Sequence, residues 1–97
     1  MNDKYILKGH EVVESNLTEW SEWFSANDRK VARDTVNESD ISTVFLGLDH
    51  SFGEGPPLLF ETLVFSGKLD GEMDRYSTWD EAIAGHAAMI ERVRKET

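Results

Sequence analysis

Eight residues near the middle of the chain, His-Ser-Phe-Gly-Glu-Gly-Pro-Pro at 50–57, constrain the fold most. Two glycines and two prolines in so short a run cannot form a regular element. The stretch is a loop, and the residues on either side of it are the most strand-like in the sequence. Residues 41–48 are rich in β-branched and aromatic side chains. Residues 58–65 are apolar on both phases of the alternation, the pattern of a central strand covered on two sides.

The rest of the chain arranges itself around this pair. Asn37-Glu38-Ser39-Asp40 is a cluster of turn formers. Val31, Ala32 and Val36 before it fit either a continuing helix or a strand, and a turn joining two strands favours a strand over 30–36. Gly67 and the Asp70-Gly71 pair signal a hairpin, with a return strand at about 72–77. Near the N-terminus, residues 4–7 and 11–14 are short apolar runs around Gly9, an expected hairpin or extended arm. Asn16 and Glu19 have capping-box spacing, and Leu17, Trp20 and Phe24 behind them share one helical face, which predicts a helix over 17–26. Thr78 and Glu81 form a second capping box. Trp79, Ile83, His86, Ile90 and Val93 then recur at steps of four and three, a continuous stripe over 79–95. Acids in its first turn and bases in its last suit the helix dipole. The expected fold is one α+β domain over 1–97: an antiparallel meander of about four strands (30–36, 41–49, 58–66, 72–77) with two helices on one face.

Composition narrows the function classes. A chain of 97 residues without cysteine has no disulfide scaffold, thiolate zinc site or cysteine nucleophile. No apolar run approaches the roughly 20 residues of a membrane span. Met1-Asn2-Asp3-Lys4 lacks the layout of an export signal, so a cytoplasmic location is expected. Nineteen acids against ten bases give a net charge of −9. All of that excess lies in residues 34–81, where eleven acids accompany only Lys68 and Arg75. The remaining residues hold eight acids and eight bases and cancel. Phosphate would be repelled, which disfavours generic binding to nucleic acid or anionic lipid. The charge serves either solubility, as in a dispersed monomer, or a basic partner.

No constellation for catalysis stands out. His86 lies inside an apolar stripe, with no carboxylate or hydroxyl partner named by spacing, and reads as a core histidine with one hydrogen bond. His10, His50 and His86 lack metal-ligand spacing. Asp49 and His50 are adjacent, and neighbours on a strand face opposite ways. Gly53 and Gly55 have no following lysine or helix with which to cradle phosphate. Asp70, Glu72 and Asp74 alternate, so on an extended strand they share a face. That row serves as a solvated outer face, a hard-cation site, or a run of negative charge resembling a phosphate strand, whose charges recur every ~3.4 Å. One of Trp20 and Trp23 is expected to be partly exposed.

The runs Ser42-Thr43-Val44-Phe45-Leu46-Gly47-Leu48-Asp49-His50, Gly55-Pro56-Pro57-Leu58-Leu59-Phe60-Glu61-Thr62 and Asp74-Arg75-Tyr76-Ser77-Thr78-Trp79-Asp80-Glu81-Ala82 resemble small proteins encoded in phage and prophage genomes. In general character the chain is similar to anti-CRISPR inhibitors of type I surveillance complexes, several of which occlude a basic, DNA-receiving surface. The resemblance implies a source more than a function; the charge confined to residues 34–81, with no catalytic set, leads to the expectation of a non-enzymatic inhibitor with no cofactor and no metal. Its acidic side chains, Asp49 and Glu54 of the loop with Asp70, Glu72 and Asp74 of the hairpin, would meet a basic host protein. The alternative reading is a phage accessory or structural protein that self-associates or docks through its apolar edge and tryptophans. A small metal-assisted hydrolase using the 70–74 carboxylates is a third.

Overall fold

A computed structural model describes residues 3–51 and 53–96, and Phe52 of the central loop lies outside them. The chain forms an α+β fold in the order β1 (Tyr5–Lys8), β2 (Glu11–Glu14), α1 (Leu17–Ala26), β3 (Lys30–Val36), β4 (Ser39–Phe45), β5 (Phe60–Phe65), β6 (Met73–Tyr76) and α2 (Trp79–Lys95). Strands β3 to β6 make a four-stranded antiparallel sheet in sequence order, the expected meander. Strands β1 and β2 form a separate hairpin beside it, joined to it by the antiparallel bridge of Lys4 to Leu48.

The turns are tighter than the sequence suggests. Val36 pairs with Ser39, so Asn37 and Glu38 alone make the β3–β4 turn, and Asn37 takes φ 55°. Asparagine tolerates that left-handed backbone better than most residues. Ser39 and Asp40 are thereby released into β4, two residues earlier than the turn-former cluster predicts. At the other end β4 stops at Phe45, because Gly47 takes φ 74° and leaves the extended region. Leu46 N–H donates to Leu59 O and His50 N–H to Leu58 O, so the two chain segments stay close across the loop without regular pairing.

Helix α2 lies across all four strands of the sheet. Its N-terminus carries the predicted capping box in full: Thr78 Oγ1 accepts Glu81 N–H at 3.1 Å, and Glu81 Oε1 accepts Thr78 N–H at 3.1 Å. Its buried residues are Ala82, His86, Met89 and Val93. The stripe read from sequence is therefore rotated: Ile83 is 43% exposed and Ile90 half-buried, while Ala82 and Met89 face inward. Small Ala82 lets the helix approach Phe60 and Leu59, which a bulkier side chain would prevent. The core falls in two neighbouring clusters, Ile41–Val64–Met89–Val93 and Phe45–Leu59–Phe60–Ala82.

Helix α1 reaches the same sheet face through aromatic rings. Trp23 packs edge-on to Phe45 with ring centroids 5.6 Å apart, and Phe24 stacks on Phe45 at 6.3 Å. Trp20 Nε1–H donates to Gly47 O at 3.0 Å. Both tryptophans are half-buried, whereas Leu17, expected on the inward face, is 63% exposed. Gly47 is the reason α1 can sit so near: a Cβ there would lie 2.1 Å from the Phe24 ring.

Strand β5 departs most from expectation. Phe60, Thr62 and Val64 are buried under α2, but Leu63 is half-buried and Phe65 is 47% exposed on the opposite face. Only one face of this central strand is covered by the described residues.

Candidate functional site

The most elaborate polar arrangement joins α2 to the sheet through His86. Strand alternation places Thr43 between Ile41 and Phe45, and Thr62 between Phe60 and Val64, so both hydroxyls point at α2. Thr43 Oγ1 lies 2.7 Å from His86 Nδ1 and also bonds Thr62 Oγ1. Thr62 Oγ1 accepts from Tyr76 O–H at 3.2 Å. On the other side, His86 Nε2 lies 2.7 Å from Asp34 Oδ2, which β3 supplies directly opposite Ile41. The sequence reading gave His86 one hydrogen bond; it has two. Local spacing names neither partner, because Thr43 lies 43 and Asp34 52 residues from His86.

Carboxylate, imidazole and hydroxyl in this order are the parts of a nucleophilic relay. Thr43 is 0% exposed, and its oxygen is enclosed between helix and sheet. No substrate carbonyl could reach it without parting α2 from β4. The arrangement fastens helix to sheet with every buried side-chain polar atom among the described residues satisfied.

The acidic residues singled out from the sequence fall into two groups. Asp49 and Glu54 belong to the loop between β4 and β5. Asp70, Glu72 and Asp74 belong to the β5–β6 turn and the start of β6. Asp49 and Glu54 precede β5 and Asp70 lies in the turn after it, at opposite ends of a strand whose six residues span about 20 Å, while Asp74 pairs with Thr62 in mid-strand. Folding therefore does not gather the five into one group.

Each group also has internal work. Asp49 Oδ1 accepts Ser51 N–H at 2.8 Å and Leu58 N–H at 3.0 Å, which closes the base of the loop. These bonds, that from Ser51 foremost, hold its carboxyl below the usual carboxylate range. Asp70 Oδ1 accepts Ser66 N–H at 2.7 Å and shapes the turn. Glu72 and Asp74 share a face as expected. It is the face that carries α2, and Arg92 on the helix pairs with both. Glu54 is exposed, with no hydrogen bond or ion pair among the described residues.

A contribution from outside residues 34–81 escaped the charge count. Burial first, and then the charges of Glu14 of β2, Asp49 of the loop and Asp3 before β1, push the Tyr5 phenol pKa up. The hairpin therefore adds carboxylates to the loop end of the sheet. At the turn end Glu38 and Glu96 line a cavity of about 320 Å³ with Lys68, Leu69 and Val93. No group of three or more His, Asp or Glu side chains among the described residues is placed to hold a metal ion. No helix among them is long and apolar enough to cross a membrane. Comparison with protein-family models, curated proteins and solved structures finds no match.

Proposed function

We propose that this chain is a non-enzymatic inhibitor of the anti-CRISPR kind, which occupies a basic, nucleic-acid-receiving surface of a host protein with its carboxylates. The observation that carries the reading is the accumulation of acid at both ends of the sheet. Asp3, Glu14, Asp49 and Glu54 lie at the loop end, Asp70 and Glu72 at the turn end, and Asp74 between them opposite Thr62. The separation of about 20 Å along β5 matches roughly six phosphates of a strand, at ~3.4 Å each. Arginines and lysines that hold two stretches of phosphate would meet two groups of carboxylates instead. Steering between opposite charges accelerates such an encounter and makes it salt-sensitive.

The test is competition. A type I surveillance complex is loaded with labelled target DNA, and the protein is titrated in. Displacement of DNA supports the reading. Glu54→Lys at one end, and Glu72→Lys with Asp74→Lys toward the other, should each weaken displacement. Equal potency in all variants would remove the acidic ends from the mechanism.

A further inference from the structure

Bases are scarce in this chain, and half of them pair with its own acids. Lys4, Arg33, Arg75, Arg92 and Arg94 each form an ion pair. Lys8, Arg29, Lys30, Lys68 and Lys95 form none among the described residues, although acids outnumber bases by nineteen to ten. Two of these five, Arg29 and Lys30, line one cavity of about 360 Å³, where the β1–β2 turn, the end of α1 and the start of α2 converge. Its other walls are largely aromatic: His10 from the turn, Trp23 from α1 and Trp79 at the first position of α2. His10 lies on Trp79 with ring centroids 3.8 Å apart and planes 7° from parallel. Asp28 is the single acid of the lining, and its Oδ1 already accepts Lys30 N–H at 2.9 Å.

The lining selects a ligand by chemistry, charge and size. Indole and imidazole faces suit a flat ring, and cations without an ion pair suit an anion. Arg29 holds its guanidinium 5.1 Å from the centroid of Phe24, so the charge stays beside the aromatic walls. Two adjacent cations match the near-double charge of a phosphate monoester better than the single charge of a carboxylate. The molecule's net charge of −9 repels an anion in proportion to that anion's own charge, which favours one phosphate over three or over a strand. The volume lies at the small end of the roughly 300–1,000 Å³ of small-molecule sites, room for one nucleotide. Asn27, also in the lining, gives its Nδ2–H to Trp23 O at 2.9 Å and keeps its amide oxygen to accept from a base amino group. We propose that this cavity binds a nucleoside monophosphate, with its base against the aromatic walls and its phosphate on Arg29 and Lys30. The acids that repel phosphate elsewhere lie outside this lining, where two bases face one acid. None of the carboxylates assigned to a host protein takes part, so the site stands apart from that reading.

Magnetic resonance of the whole chain during titration with adenosine monophosphate reads the site directly, because two of the three tryptophans line the cavity. The indole N–H signals of Trp23 and Trp79 should move and saturate between micromolar and millimolar ligand. That of Trp20, bonded to Gly47 O, should stay in place. Arg29→Gln with Lys30→Gln, both at exposed positions, should weaken binding by about tenfold or more, the loss expected for charge-assisted hydrogen bonds. Far-UV circular dichroism checks that the variant is folded. Should it fail to fold, Lys30→Gln alone, which leaves Arg29 over Phe24, takes its place and should also bind more weakly. Adenosine and inorganic phosphate, the two halves of the probe, should each bind more weakly than the whole by about tenfold or more. Trp23 and Trp79 signals that stay still at millimolar adenosine monophosphate overturn the inference. So does a folded variant that binds as well as the native chain. Phosphate alone binding as tightly as the nucleotide removes the ring from the site, and adenosine binding as tightly removes the anion; either result overturns it too. DNA displacement is tested at Glu54, Glu72 and Asp74 and nucleotide binding at Arg29 and Lys30, so either can fail without the other.

Discussion

At the scale of single residues, His86 shows how a polar group can sit at the centre of a small core. Its two ring nitrogens face Asp34 and Thr43, and Thr43 passes the chain of hydrogen bonds on to Thr62 and Tyr76. Thr43→Val keeps the shape and removes the hydroxyl, so His86 Nδ1 loses its only partner while remaining buried. The cost should be about 1–3 kcal/mol in urea unfolding, with Thr43→Ser recovering most of it. Asp49 gives a pH signature. A carboxyl whose folded pKa is depressed stabilises the fold above its unfolded value, and that contribution drains away as pH falls through the folded value. Thermal unfolding of the native protein should therefore lose stability as pH falls through and below the ordinary carboxylate range, and Asp49→Asn should show a shallower decline. Both tyrosines of the chain are displaced upward, Tyr5 by burial and three carboxylates and Tyr76 mainly by burial. Ultraviolet titration should find neither ionising at the ordinary value of 10.0 until the protein unfolds.

At the scale of elements, local chemistry was legible wherever a side chain acts on its own backbone. The span of α2 followed from Thr78 and Glu81, and that of α1 from Asn16, whose Oδ1 accepts Glu19 N–H at 2.9 Å. What a helix faces was less legible, because a stripe of apolar residues is wider than the line of contact. Leu17 and Ile83 belong to their stripes and still point to solvent. Coverage of β5 could not be read either: alternation shows that both phases are apolar, and only the tertiary arrangement decides which phase receives a helix. Close approach between elements is likewise silent in the sequence. Gly85 lies in the interior of α2, where alanine normally gains about 1 kcal/mol. Here a Cβ would come within 2.2 Å of the Tyr76 ring and hydroxyl. Gly85→Ala should therefore lower the melting temperature, the reverse of the usual effect, by displacing Tyr76 from Thr62.

For the whole molecule, the charge count located the acids along the chain and concealed their arrangement. Most carboxylates of residues 34–81 are tied to their own structure, through His86, Arg33, Arg75, Arg92, loop amides and the α2 cap. Among the described acids of that stretch, Glu38, Glu54 and Asp80 carry no such bond. Sequence distance could not reveal that β5 stands between the two acidic segments, nor that Asp3 and Glu14 join the loop end. The resulting molecule is anionic at both ends of its sheet.

The most direct measurement of the functional account is the salt dependence of DNA displacement from a loaded surveillance complex. Carboxylates standing in for phosphate predict displacement at low ionic strength that falls steeply as salt rises. DNA that stays bound at low salt under a large excess of the protein would contradict it.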